Sequence, residues 1–287
     1  GNFYLSASRY DQDGVIPGTG YNKTTFRFNG EQKYGKFTAS ANVSYSVANT
    51  DKTLTSSGLY SGGGNGTMTA LYGWSRDNNM SNWITNEGEK VQLFPNIAPD
   101  AQVENPYWII NKNKMTDKNE RITGAVNLGF EFTDWLNLSA RIGLDSYNND
   151  AYTYIAPGGN VNEMYQNGRL SKTKVKYNYL NTNIMLNFHK TWGDFDVAAL
   201  VGHASESTDR FSNAMWGWNF TVPGTISFTN ILDENKKFTD GTSQKRLVGV
   251  YGEVRASWKN MIYLTVTGRN DWSSTLPTEN RSYFYPS

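Results

Sequence analysis

Cysteine is absent from the 287 residues. That removes disulfide frameworks and thiolate zinc sites, and it says little about compartment beyond compatibility with an oxidising one. Long apolar runs are also missing. The longest are short, such as Val197–Val201, far from the ~18 consecutive apolar residues of a spanning helix. A mean hydropathy of −0.61 excludes a helical membrane protein in any case. No basic segment followed by an apolar one stands at the start, so no signal peptide is visible; either it is removed or the chain begins inside a longer product. Charge of one sign is lacking too. Lys+Arg number 27 and Asp+Glu 26, a net charge of +1, without the long run that general nucleic-acid binding requires.

Histidine is limited to His189 and His203. Nothing in the sequence brings Ser, His and Asp together as a triad, and no His-x-x-x-His or clustered carboxylate pattern implies a metal. Gly62-Gly63-Gly64-Asn65-Gly66 lacks the Lys-Ser/Thr of a phosphate loop and reads as a flexible loop. Asp233-Glu234 and Glu87-x-Glu89 read as solvated loop surface. No enzyme and no cofactor is implied.

What the chain has in quantity is aromatic side chains, with 18 Tyr, 14 Phe and 9 Trp against only 8 Pro. Asn, Gly, Ser and Thr fill the spaces between apolar residues. This composition favours strands joined by polar loops, an all-β chain. Alternation supports it, because successive strand side chains point to opposite faces. In Lys36–Val47, Phe37, Ala39, Ala41, Val43, Tyr45 and Val47 alternate with Thr38, Ser40, Asn42, Ser44 and Ser46. The same pattern recurs at Arg121–Phe132, Leu136–Asp145, Leu247–Trp258 and from Ile262 to Arg269. Weaker strands fit at Phe3–Asp11, Tyr21–Lys33, Lys174–Lys190 and Phe195–Asp209, the last alternating poorly around Ala198-Ala199-Leu200. Nine strands are expected.

Their connections alternate in length. Short turns lie at Lys33–Lys36, Thr133–Trp135, Thr191–Asp194 and Lys259–Met261; longer ones lie at Gln12–Gly20, Thr50–Lys118, Asn148–Thr173, Arg210–Ser243 and after Asn270. Transmembrane barrels have this asymmetry, with short periplasmic turns and long extracellular loops. Trp135, Trp192 and Trp258, with Tyr34, sit at the short turns, as one half of an interfacial aromatic girdle would. A soluble sandwich also alternates, but it has no reason to put every long loop at one end.

The segment from Leu247 to Pro277, then Asn280 to Ser287, adds motifs. Strand, tight turn and strand run into Arg269-Asn270-Asp271-Trp272-Ser273-Ser274, and the loop ends in Tyr285-Pro286-Ser287. With Asn105-Pro106-Tyr107-Trp108 and the opening Tyr4-x-Ser6-x-Ser8…Asp13-Gly14, the chain resembles the barrel of SusC/RagA-type TonB-linked outer-membrane proteins. The resemblance implies a large antiparallel transmembrane β-barrel of about 22 strands, preceded by a plug domain and a TonB box. Neither plug nor box is visible here. Residues 1–287 are therefore expected to be a partial barrel, roughly the first half of its wall, needing the remaining chain or detergent to hold its shape.

The family further implies import of oligosaccharides or oligopeptides across the outer membrane, with a SusD-like lipoprotein and TonB as partners, outer-membrane lipid around the wall, and no nucleic acid. Arg27, Arg121, Arg141, Arg255, Arg269, Glu31, Glu131, Asp145 and Glu253 fall on the polar faces. In a barrel they point to the lumen, since charge at mid-depth on the lipid face costs ~2–4 kcal/mol; there they contact the plug or solvate a wet interior. Trp74, Trp83, Trp108, Trp216, Trp218 and Trp272 are the expected loop aromatics for substrate, with Trp216-Gly217-Trp218 setting both rings on one side of an extended segment. They would otherwise pack a loop mini-core or a lipoprotein partner. The alternative reading is a secreted β-rich carbohydrate-binding or adhesin module, which predicts a closed core; a barrel lipase would need a convergent Ser-His-acid set.

Overall fold

The computed structural model describes residues 1–54, 66–161 and 163–287; most of the Gly62–Gly66 run lies outside the described residues. Ten antiparallel strands form one sheet in strict chain order. They are β1 (Asn2–Asp13), β2 (Gly20–Tyr34), β3 (Phe37–Lys52), β4 (Lys114–Thr133), β5 (Leu136–Ile155), β6 (Arg169–Trp192), β7 (Phe195–Trp218), β8 (Lys236–Trp258), β9 (Ile262–Ser273) and β10 (Ser282–Pro286). Ten strands replace the nine expected, because Ser282–Pro286 already pairs with β9. The sheet does not close on itself: β1 and β10 are its two edges. Two short helices, α1 (Thr67–Gly73) and α2 (Pro106–Lys112), stand in the β3–β4 connection.

The four short turns fall where the sequence placed them, for local reasons. Gly35 (φ 56°) and Gly193 (φ 58°) stand first in two-residue turns, the position where a positive φ matches the twist of the flanking strands. At the last turn Lys259 and Asn260 are both left-handed (φ 49° and 55°), and the Met261 N–H donates to the Trp258 carbonyl at 3.0 Å. At the other end the strands run farther than expected. β6 begins at Arg169, β7 continues to Trp218 and β8 begins at Lys236. These extensions, such as Arg169-Leu170-Ser171-Lys172-Thr173, lack an apolar stripe, and neighbouring ladders supply their backbone partners instead.

Register assigns every side chain to a face. Phe37, Phe130 and Leu138 lie in one row, and Trp192, Phe195, Trp258 and Ile262 in another, all on the apolar face at the short-turn end. Trp135 meets Phe188 edge-on at 5.5 Å, and Lys190 extends its ammonium over both Trp135 and Trp192. Apolar ring below and cationic head above is the arrangement an interface rewards.

From Trp258 to Val248 this face of β8 stays apolar for ten residue steps. At ~3.3 Å per residue and a tilt near 40° that is a band about 25 Å tall. Beyond it the face turns ionic, with Arg9–Asp11, Lys174–Asp150 and Arg246–Asp209 paired. Among the described residues no second sheet covers the band: Ile184, Val201 and Val254 are 46%, 53% and 50% exposed. The chain exposes 17962 Å², against about 12,000 Å² for a compact monomer of its mass.

Candidate functional site on the polar face

All the Arg and Glu side chains expected on the polar faces lie on one side of the sheet, because ladder partners share a face. Most are paired. Arg121 grips Asp145 with two bonds of 2.8 and 2.6 Å. Arg269 holds Asp271 at 2.8 Å, Arg255 pairs with Glu253, and Lys33 reaches Glu131 at 3.2 Å. Arg27 and Arg141 have no ion pair among the described residues. Alternation located these residues but could not name their partners, which depend on cross-strand register.

Small residues make room for the large ones. Tyr251 on β8 lies over Gly202 of β7, where a Cβ would sit 2.3 Å from its ring, and its hydroxyl donates to Asn183 Oδ1 of β6 at 2.7 Å. β7 alternates poorly in sequence because Ala198, Leu200 and Gly202 stand on its polar face. Arg269 stacks on Tyr251 at 5.5 Å, and with Asp271 covers Gly249, where a Cβ would meet both side chains below 3.0 Å. Beside them a cavity of about 310 Å³ opens between Glu206, Arg269, Asp271, Tyr283 and Tyr285. The Arg269–Ser274 motif thus does two things. Arg269 and Asp271 face the polar side, while Ser274 ties the following loop to β8 through reciprocal bonds with Arg246.

The six tryptophans proposed from sequence part company. Trp74 and Trp108 are buried, so they pack the loop rather than face a ligand. Trp74 donates its indole N–H to the Asn78 carbonyl at 2.9 Å, and Trp83, half-buried, meets Trp108 edge-on at 6.2 Å. Trp216 and Trp218 are strand residues of β7, not loop residues, and both face the polar side as their spacing required. Trp272 is a correction of another kind: it belongs to β9 and, opposite Val248, lies on the apolar face.

Leu54, Ala70 and Ile109 of the β3–β4 connection form a buried core with Ile155, the last residue of β5, and Val161 of the β5–β6 connection. Asn105 caps α2, accepting from the Tyr107 N–H at 2.9 Å, with Pro106 at the first helical position. Next to it Lys90 and Glu104 form a buried pair at 2.8 Å. The ammonium also donates to the Gly158 carbonyl and Asn160 Oδ1, and the carboxylate accepts from the Asn105 and Asn160 N–H groups. Burial pushes the Glu104 carboxyl up and the Lys90 ammonium down, against their mutual attraction. No sequence pattern pointed to this pair.

Among the described residues no nucleophile is hydrogen-bonded to a histidine. His189 Nε2 lies 2.9 Å from Asp196, but the Thr191 hydroxyl donates to that carboxylate and not to the imidazole. His203 sits on the apolar face opposite Val250.

A sheet with one apolar belt, one polar face, short turns at one end and long loops at the other has the fold of an outer-membrane barrel wall. The solved structures it resembles are those of transporters and receptors. The RagAB peptide transporter matches with a TM-score of 0.77 at 16% identity, over 99% of this chain and 31% of that one. RagAB in its 'open-open' state matches with a TM-score of 0.73 at 15% identity, over the same 99% and 31%. BauA, the ferric preacinetobactin receptor of Acinetobacter baumannii, matches with a TM-score of 0.50 at 11% identity, over 99% of this chain and 43% of that one. This chain thus spans 31% of the RagAB chain. No family model and no curated protein matches it.

Proposed function

We propose that this chain is a section of the wall of an outer-membrane, TonB-dependent importer of oligosaccharides or oligopeptides, working with a SusD-like surface lipoprotein, and that it is not an enzyme. The observation that carries the reading is the uncovered apolar band, about 25 Å tall, backed by a continuous polar face. Hydrocarbon covers the first and a wet lumen meets the second. The paired arginines and carboxylates then serve the interior, where Arg269, Asp271 and Tyr251 stand available to a plug. The motif resemblance at Arg269–Ser274 supports the SusC/RagA class, and the match to the RagAB peptide transporter supports the fold. An adhesin would need its apolar face closed by a second layer.

The test is fractionation and uptake with the whole gene product. The reading expects recovery from detergent-extracted outer membrane, and oligomer uptake lost when the TonB box or the lipoprotein gene is deleted. Recovery as a soluble monomer, or uptake indifferent to TonB, contradicts it.

A further inference from the structure

The polar face carries two kinds of charge. On the short-turn side of β8 and β9, cations are matched to carboxylates, Arg255 with Glu253 and Arg269 with Asp271; on β4 and β5, Arg121 is matched by Asp145 in the rows that continue to Arg210 and Lys245. Toward the long loops of β6, β7 and β8 the matching stops. Register puts Arg169, Ser171, Thr173, Val175, Tyr177 and Tyr179 of β6 on this face, with Thr208 to Trp218 at even positions of β7 and Lys237 to Lys245 at odd positions of β8. None of these is Asp or Glu; Glu206, opposite Leu247, bounds the strip at its lower end. The acids of these segments, Asp209 and Asp240, stand on the other face. Among the described residues Arg210, Lys237 and Lys245 have no ion pair, and Arg169 keeps a buried Nε without a partner.

The cations are not scattered. Arg169 lies directly opposite Trp218, Lys237 opposite Trp216, and Arg210 opposite Tyr177. Directly opposed residues hold their Cβ atoms about 5 Å apart, so each ring has a cation at its side. All three rings are half-buried; Tyr177 stacks on Tyr147 at 5.0 Å and Trp218 meets Tyr165 edge-on at 6.4 Å, which fixes them to the wall. Fixed rings stack on flat or apolar faces, and unmatched guanidinium and ammonium groups bind carboxylates with charge-assisted bonds. A one-signed strip in a confined low-dielectric wall also concentrates anions.

We propose that this strip binds carboxylate-bearing oligomers, with Arg169, Arg210 and Lys237 taking the carboxylates and Trp218, Tyr177 and Trp216 stacking on the surfaces between them. It rests on the importer reading above and names the class of cargo. From Arg210 to Trp218 the strip is eight residue steps long, about 26 Å, the span of an extended oligomer and not of a monomer.

The experiment uses the whole transporter purified from outer membrane. Two carboxylate probes, pentagalacturonate and hexaglutamate, are compared with two neutral counterparts, maltopentaose and a Gly-Ser hexapeptide. At least one carboxylate probe should bind ten times or more tighter than its neutral counterpart, with affinity falling as salt rises; which one does so identifies sugar or peptide. The R210E/K237E variant should cut that preference roughly a hundredfold, and R210Q/K237Q by less. Equal affinity for charged and neutral probes, no binding of either carboxylate probe, or a preference unmoved by R210E/K237E overturns the assignment. A protein absent from the outer membrane fails the importer reading instead, a result the fractionation delivers before any probe is added.

Discussion

The strand wall and the β3–β4 connection are built on opposite plans. The connection buries Ala70, Ile109 and the Lys90–Glu104 pair as a soluble domain would, against Ile155 and Val161 of the neighbouring strand and loop. The wall, with most of the residues, leaves whole rows of Leu, Ile and Val uncovered. The difference teaches where stability comes from in each. The loop core is held by side-chain packing and by the hydrogen bonds around Lys90 and Glu104. The wall is held by its hydrogen-bond ladder together with whatever covers its apolar band, and the band's height and its belt of rings and lysines fit hydrocarbon.

Several substitutions separate the two plans. The largest effect belongs to the loop. Glu104→Ala leaves the buried Lys90 ammonium without its carboxylate, which should cost about 3–5 kcal/mol. The cost should appear as faster hydrogen exchange over Pro106–Lys112, with exchange in the wall strands unchanged; equal acceleration in both would mean that they are one cooperative unit. Next, Ile184→Arg on the apolar face should cost about 2–4 kcal/mol in bilayer unfolding titrations, whereas Asn187→Arg on the polar face of the same strand should cost far less. Gly202→Ala drives a Cβ into the Tyr251 ring and should cost about 1–3 kcal/mol; Tyr251→Ala in that background should restore part of it. The smallest change is Lys33→Ala, which removes an exposed pair with Glu131 and should shift the same titration by about 0.2–1 kcal/mol.

Much of the wall was legible because period-two alternation and turn chemistry are local. Phe37 to Val47, the Gly35 and Gly193 turns and the Lys259-Asn260 turn needed no knowledge of distant residues. The strand ends were not legible. Ser171-Lys172-Thr173 and Asp240-Gly241-Thr242 have no apolar stripe, and only their neighbours' ladders make them strands. That is why Trp216, Trp218 and Trp272 read as loop residues. The face of each charge followed from parity alone, but the Arg121–Asp145 and Tyr251–Asn183 partnerships required register across β4, β5, β6 and β8. The loop core was hidden for a different reason. Its members, Leu54, Ile109 and Ile155, are far apart in sequence and have no shared period, although Asn105-Pro106 carried a helix-start signal that could have been read.

These 287 residues hold no cysteine, so one introduced in β6 reports its own position once any cysteine elsewhere in the whole protein is replaced. Single cysteines placed in turn at residues 182 to 187 of β6, spin-labelled in the whole protein in bilayers, report contact with lipid-soluble oxygen or a water-soluble nickel complex. The account predicts a strict two-residue rhythm, with oxygen favoured at 182, 184 and 186 and nickel at 183, 185 and 187. Water exposure at 184 and 186, or no rhythm at all, would contradict it.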